Sequence, residues 1–179
     1  MARLLTEDWA PLAAKLIVDT RLLEANVGKE IFEANCYELF RTADECVLPV
    51  LYDAYKPKLH HFSQFLAYFF EYIIKEGEKL SKGKEVDFEK LYEFYNLNFE
   101  MNKKLFKSDS SIKIELNRAF EKFNNENNDQ AAELLSKYIA DELVIKRGLE
   151  ELNEKIQCAM VLFKHLGSKD IFISFYNQR

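Results

Sequence analysis

Leu59, Phe62, Phe65, Leu66, Phe69, Phe70, Ile73 and Ile74 recur at intervals of three and four residues. That spacing gathers large apolar side chains onto one broad helical face, whereas a half-buried strand needs alternation at every second residue. Breakers are scarce. The 179 residues contain five Gly and three Pro, and the stretches between them keep the helical spacing. The predicted class is all-α.

Local signals divide the chain. A first helix follows Thr6 or Asp8, takes Pro11 in its first turn, where a missing amide costs little, and runs towards Ala25; Gly28 ends it. A second spans about Lys29 to Cys46 with Ile31, Phe32, Cys36, Leu39 and Phe40 on one side, and Pro49 interrupts the ladder. The Phe-rich helix should end in the polar stretch Glu76 to Glu85, which contains Gly77 and Gly83. Asp87 can then cap a helix carrying Phe88, Leu91, Tyr92, Tyr95 and Phe99. Ser108-Asp109-Ser110 caps the next, with the stripe Ile112, Leu116, Ala119, Phe120 and Phe123. After the Asn-rich run 124–128, a helix starting at Asp129 carries Ala131, Ala132, Leu135, Tyr138, Ile139 and Leu143. Beyond Gly148 the predicted buried set is Leu149, Leu152, Ile156, Ala159, Met160 and Phe163. A last segment, Lys169 to Gln178, offers Ile171, Phe172, Phe175 and Tyr176 as an aromatic face with nothing later in the chain to cover it.

Charge and composition exclude several classes of function. Thirty acidic against 25 basic residues give a net charge of -5, and the basic groups are interleaved with Glu, as in Lys75 to Lys79, so no basic face exists to track a phosphate backbone. No nucleic-acid partner is expected. The apolar runs are far shorter than the roughly 20 residues that cross a bilayer, and Glu7 and Asp8 interrupt the start before a signal-peptide core can form. Neither a membrane nor a secretion signal is expected. Cys36, Cys46 and Cys158 are odd in number and lack a CxxC pair, which fits a reducing cytoplasmic or nuclear compartment better than a disulfide framework or zinc ribbon. Each is expected as a small buried hydrophobe.

Chemistry is equally sparse. The carboxylate neighbours Glu150-Glu151 and Asp141-Glu142 point about 100° apart on a helix and share no proton site. His60-His61 lacks HxxxH or HExxH spacing, and His165 lies near a helix C-terminus, where its positive form suits the dipole. No catalytic residue, metal ligand, cofactor site or small-molecule substrate is predicted. The function is expected to reside in surfaces.

A family resemblance then appears. The segment from Lys155 through His165-Leu-Gly-Ser-Lys-Asp-Ile-Phe to Tyr176 resembles the cullin pattern of an apolar-Phe-Lys/Arg run followed by Lys-Asp-Val/Ile-Phe and an aromatic pair. Ala132-Glu-Leu-Leu-Ser-Lys-Tyr138 is similar to the family's Pro-Glu-Leu-Leu-Ala-Lys-Tyr, with Ala132 in place of the usual Pro. Phe106-Lys-Ser-Asp109, Arg118-Ala-Phe-Glu121 and Phe123-Asn-Asn125 resemble the element before it. The resemblance covers about residues 51–179 and leaves residues 1–50 as N-terminal helices that match it weakly. It implies an elongated stack of antiparallel helices without a ligand pocket, the last cullin repeat of the stalk, ending where the family's C-terminal domain begins. By resemblance the chain is a non-catalytic scaffold segment of a cullin-RING ubiquitin ligase. It would be a rigid spacer between substrate receptor and RING end, with protein partners held mostly by other regions. Leu134, Leu135 and Tyr138 would then pack the stalk, and Met160, Phe163, Phe172 and Tyr176 would join it to the C-terminal domain. Two other classes fit the residues alone: a standalone helical adaptor whose aromatic grooves receive a partner helix, and a helical-bundle enzyme or metal carrier built around His60, His61 and Glu side chains.

Overall fold

In the computed structural model, residues 35–81, 87–125, 128–145 and 148–178 are described. The expected first helix, Gly28, Ile31, Phe32 and Gly83 lie outside them. The described residues open in helix, 35–42, and continue as α1 (Leu48–Tyr55), α2 (Leu59–Ser81), α3 (Phe88–Leu105), α4 (Ser110–Asn125), α5 (Asn128–Val144), α6 (Leu149–Lys164) and α7 (Lys169–Asn177). No strand occurs among them. The all-α expectation holds.

Two compact units divide the chain. One takes the described residues up to Tyr72 together with Glu100–Glu115; the other takes Ile73–Phe99 and Leu116 onwards. The boundaries fall inside α2, α3 and α4.

The first unit is organised by rings. Phe40 sits 5.4 Å from Phe65 and 5.3 Å from Phe69, both edge-on, and Phe106 meets Phe65 at 5.5 Å. Such pairs contribute about 0.5–1.5 kcal/mol each beyond the area they bury. Leu48, Leu51 and Ile112 fill the space around them. Pro49 does not interrupt a helix here but opens one, in the first turn of α1, where its absent amide has no helical acceptor to lose. The preceding helix stops at residue 42, four residues before the predicted end. Ala43 takes a left-handed φ of 49°, and the Asp44 carboxylate accepts the Cys46 and Val47 amides, which turns the backbone into α1. Cys46 is consequently exposed in that turn, contrary to the buried role expected of it.

The second unit is built on the predicted stripe of α4. Leu116, Ala119 and Phe120 have no exposed surface and Phe123 almost none, with Leu91, Ala132, Leu135, Ala159 and Leu162 packed in the same core. Gly77, expected to help end α2, lies inside it, and the helix runs on to Ser81. A Cβ at Gly77 would collide with the ring of Phe123, which itself packs on Phe120 at 4.8 Å. The glycine is a contact surface, and helix propensity loses to packing.

Gly77→Ala should therefore reverse its usual sign. In a free helix this change stabilises by about 1 kcal/mol. Here chemical denaturation should show a loss of about 1–3 kcal/mol, the ordinary cost of overpacking a core.

Candidate functional site

The tightest polar cluster forms at the turn from α3 to α4. Lys107 and Ser108 both adopt left-handed φ, 56° and 58°, which non-glycine residues seldom take, so the turn must be held from outside. Asn102 and Asp109 hold it. The Ser108 amide reaches the Asn102 carbonyl at 3.0 Å, and the Asn102 side-chain amide donates to the Asp109 carbonyl at 3.0 Å. The Asp109 carboxylate caps α4 through the Ser111 amide at 2.7 Å, as the sequence leads one to expect.

The same carboxylate also does what local sequence cannot reveal. It accepts the Tyr52 hydroxyl at 2.6 Å and an ion pair from Lys56, both on or beside α1 and more than fifty residues away. Lys56 also lies over the Phe62 ring, 4.2 Å from its centroid. Burial alone would raise the Asp109 carboxyl; the Lys56 ammonium, the Tyr52 hydroxyl and the Ser111 amide outweigh it and hold the group at about 2. Burial, then the bond to Asp109, pushes the Tyr52 phenol well above its ordinary value. This is a clamp of fixed charge. Held at about 2, the Asp109 carboxyl stays ionised at neutral pH.

The second polar region is an open groove of about 390 Å³ along α3 and α6, lined by Glu89, Tyr92, Glu93, Glu154, Lys155 and Cys158. It departs from the pocket-free stack implied by the resemblance. Its lining does not assemble for catalysis: Lys155 is paired with Glu89 at 2.6 Å, and the Cys158 thiol donates to the Phe88 carbonyl at 3.3 Å. Burial pushes that thiol up to about 11, so it is not a thiolate at neutral pH. His60 is exposed beside His61, and among the described residues no three His, Cys, Asp or Glu side chains converge on a point where a metal could sit. No described helix is long and apolar enough to cross a membrane.

The predicted packing residues divide into two groups. Leu135 is buried, Leu134 is half-buried, and the half-buried Tyr138 sets its ring 5.3 Å from Phe88. The structure brings Phe163, Phe172 and Tyr176 together: Phe163 and Phe172 are 4.9 Å apart, and Tyr176 stacks on Phe172 at 6.0 Å. Met160 is 47% exposed. α5 packs against both α6 and α7. The buried face of α6 is only partly the predicted one: Ala159 is buried and Leu152 and Phe163 are half-buried, as expected, but the face is shifted. Cys158, Ala159, Leu162, His165 and Leu166 are buried, while Leu149 is 87% exposed and Ile156 is partly so. Two apolar stripes compete on this helix. The buried one includes Cys158, whose thiol meets the Phe88 carbonyl at the start of α3.

With this geometry in place, the chain can be set beside known proteins. The family described as Cullin alpha solenoid domain matches residues 5–179. The chain belongs to the cullin family. Cullin-2 of Caenorhabditis elegans is 29% identical over 92% of this chain, and the chain spans 22% of that relative's length. The match to the cullin solenoid takes in residues 5–50 as well as the segment that carries the resemblance. In this cullin segment the buried Asn102 and Asp109 serve turn geometry.

Asp109 should reveal its role in two ways. Replacing it by Ala leaves Tyr52 and Lys56 without their acceptor and should cost about 2–4 kcal/mol in equilibrium unfolding. Because its folded value lies below its unfolded one, its contribution is fully present above the ordinary carboxylate range and is lost as pH falls through about 2. Acid unfolding of Asp109→Asn should lack that component, about 2 kcal/mol, when compared with the parent chain.

Proposed function

We propose that this chain serves as the spacer of a cullin-RING ubiquitin ligase, holding a substrate receptor at a set distance from the RING end. The observation that carries the reading is the cullin family match across nearly the whole chain. Its supporting features are physical. Each described unit has a core of interlocked aromatic side chains. A scaffold of this kind acts by fixing distance, which sets the effective concentration of one bound partner near another. Its partners are the other ligase subunits, its compartment is cytoplasmic or nuclear, and it performs no chemistry itself.

Within this reading, Leu134, Leu135 and Tyr138 hold the repeat together, and Met160, Phe163, Phe172 and Tyr176 form the face that meets the next part of a full-length cullin. One observation favours a second reading, a free-standing helical adaptor: the uncovered apolar side chains Leu149, Ile156 and Met160 on α6.

Small-angle scattering separates the two. A compact chain of 179 residues has a radius of gyration of about 16 Å. The spacer reading expects a clearly larger value, and a monomer at about 16 Å sinks it. Side-chain tests add a second axis. Met160→Asp should change the stability of this chain by no more than about 0.5 kcal/mol while weakening association with the C-terminal part of a cullin. Phe172→Ala should cost roughly 3 kcal/mol in the chain alone. If Met160→Asp binds unchanged, Met160 is not at the junction.

A further inference from the structure

His165 sits at the corner where α6 gives way to α7, and its surroundings are inconsistent with a charged ring. The side chain is buried, and its Nδ1 has no hydrogen-bond partner. Its ring lies 5.3 Å from Tyr95 of α3 and 5.7 Å from Phe120 of α4. Tyr95 is not available to neutralise a charge: its hydroxyl is bonded to Asn117 at 3.1 Å, and burial raises its pKa. The charged groups acting on the ring are Lys164 on its own element and Lys169 in the first turn of α7, both cationic. Among the described residues no carboxylate is found acting on it. The α6 carbonyl ends favour an imidazolium by at most about 1–2 kcal/mol. Burial with two lysines nearby opposes it more strongly.

Few side chains of the corner are fully buried, although α7 lies along α5. In α7 only Phe172 is buried, the turn adds Leu166, and the Gly167 amide is tied to the Asn125 side chain by an exposed bond of 2.7 Å. The α4 stripe beneath, by contrast, has essentially no exposed surface. Elements with few buried anchors open locally before the core does.

We propose that the α6–α7 corner is an acid-operated latch: protonation drives the His165 ring out from between Tyr95 and Phe120, and α7 leaves α5 with it. The inference is independent of the spacer reading. Burial first, then Lys164 and Lys169, lower the imidazole to about 4 from its ordinary 6.5. A folded value below the unfolded one means that the closed state is fully favoured above 6.5 and loses ground as pH falls from there towards 4. Between pH 7 and pH 5 the opening equilibrium should rise about 20-fold.

Amide hydrogen exchange on the whole chain, corrected for the intrinsic pH dependence of exchange, reads this directly. In the parent chain the amides of α7 should open about 20-fold more at pH 5 than at pH 7 while those of α4 change far less; in His165→Gln the α7 response should be flat. An equal rise in α4 and α7, an unchanged rise in the variant, or no rise in the parent chain overturns the proposal. If the variant does not fold, an NMR titration of the parent chain decides. Ring and α7 resonances moving together support the latch, and a ring that titrates while α7 stays put overturns it, as does the absence of any α7 change down to pH 4.5.

Discussion

A chain of 179 residues with 15 Phe and 9 Tyr carries a large ring surface, and burying it is the constraint on which the described helices depend. The rings come at helical spacing, so each helix can offer a face of them, and the faces interlock edge-to-face around Phe40, Phe65 and Phe106. Close-packed rings leave little freedom in how neighbouring helices approach. Turns and caps then have to deliver helices into positions that the rings already specify.

The corner between α3 and α4 illustrates the cost of such delivery. Two consecutive left-handed residues, neither of them glycine, are tolerated because Asn102 and Asp109 satisfy the backbone around them. Asp109 also fixes α1 through Tyr52 and Lys56, so one carboxylate joins a turn to a distant helix. The carboxylate itself is held by Tyr52, Lys56 and the Ser111 amide, which keeps it ionised and stiffens the turn.

Much of this was legible in sequence because it is local. Asp87 and Asp109 cap α3 and α4 through the Lys90 and Ser111 amides, and all five residues predicted for the α4 stripe are buried. The illegible features depended on partners far along the chain or on the exact path of the backbone. Pro49 opens a helix because Asp44 has already turned the backbone; Gly77 sits within a helix because Phe123 leans on it. On α6, two apolar stripes were both compatible with burial, and only the neighbouring elements decide between Leu149 and Cys158. His165 has the same history: its place near a helix end suggested a stabilising positive charge, and its burial makes it neutral instead. The family resemblance, carried by residues 106–176, located the chain where periodicity could not, since periodicity specifies helices but not which stack they belong to.

The contact between Gly77 and Phe123 carries an evolutionary consequence. The two positions share one fixed volume, so related chains cannot vary them separately: a side chain gained at one must be matched by atoms lost at the other. A relative with Ala or Ser in the middle of this helix should carry a smaller residue in place of the phenylalanine. The pair would thus be read in an alignment as a covarying couple 46 positions apart, and would mark the contact of α2 with α4 even in chains too divergent to be matched along their length.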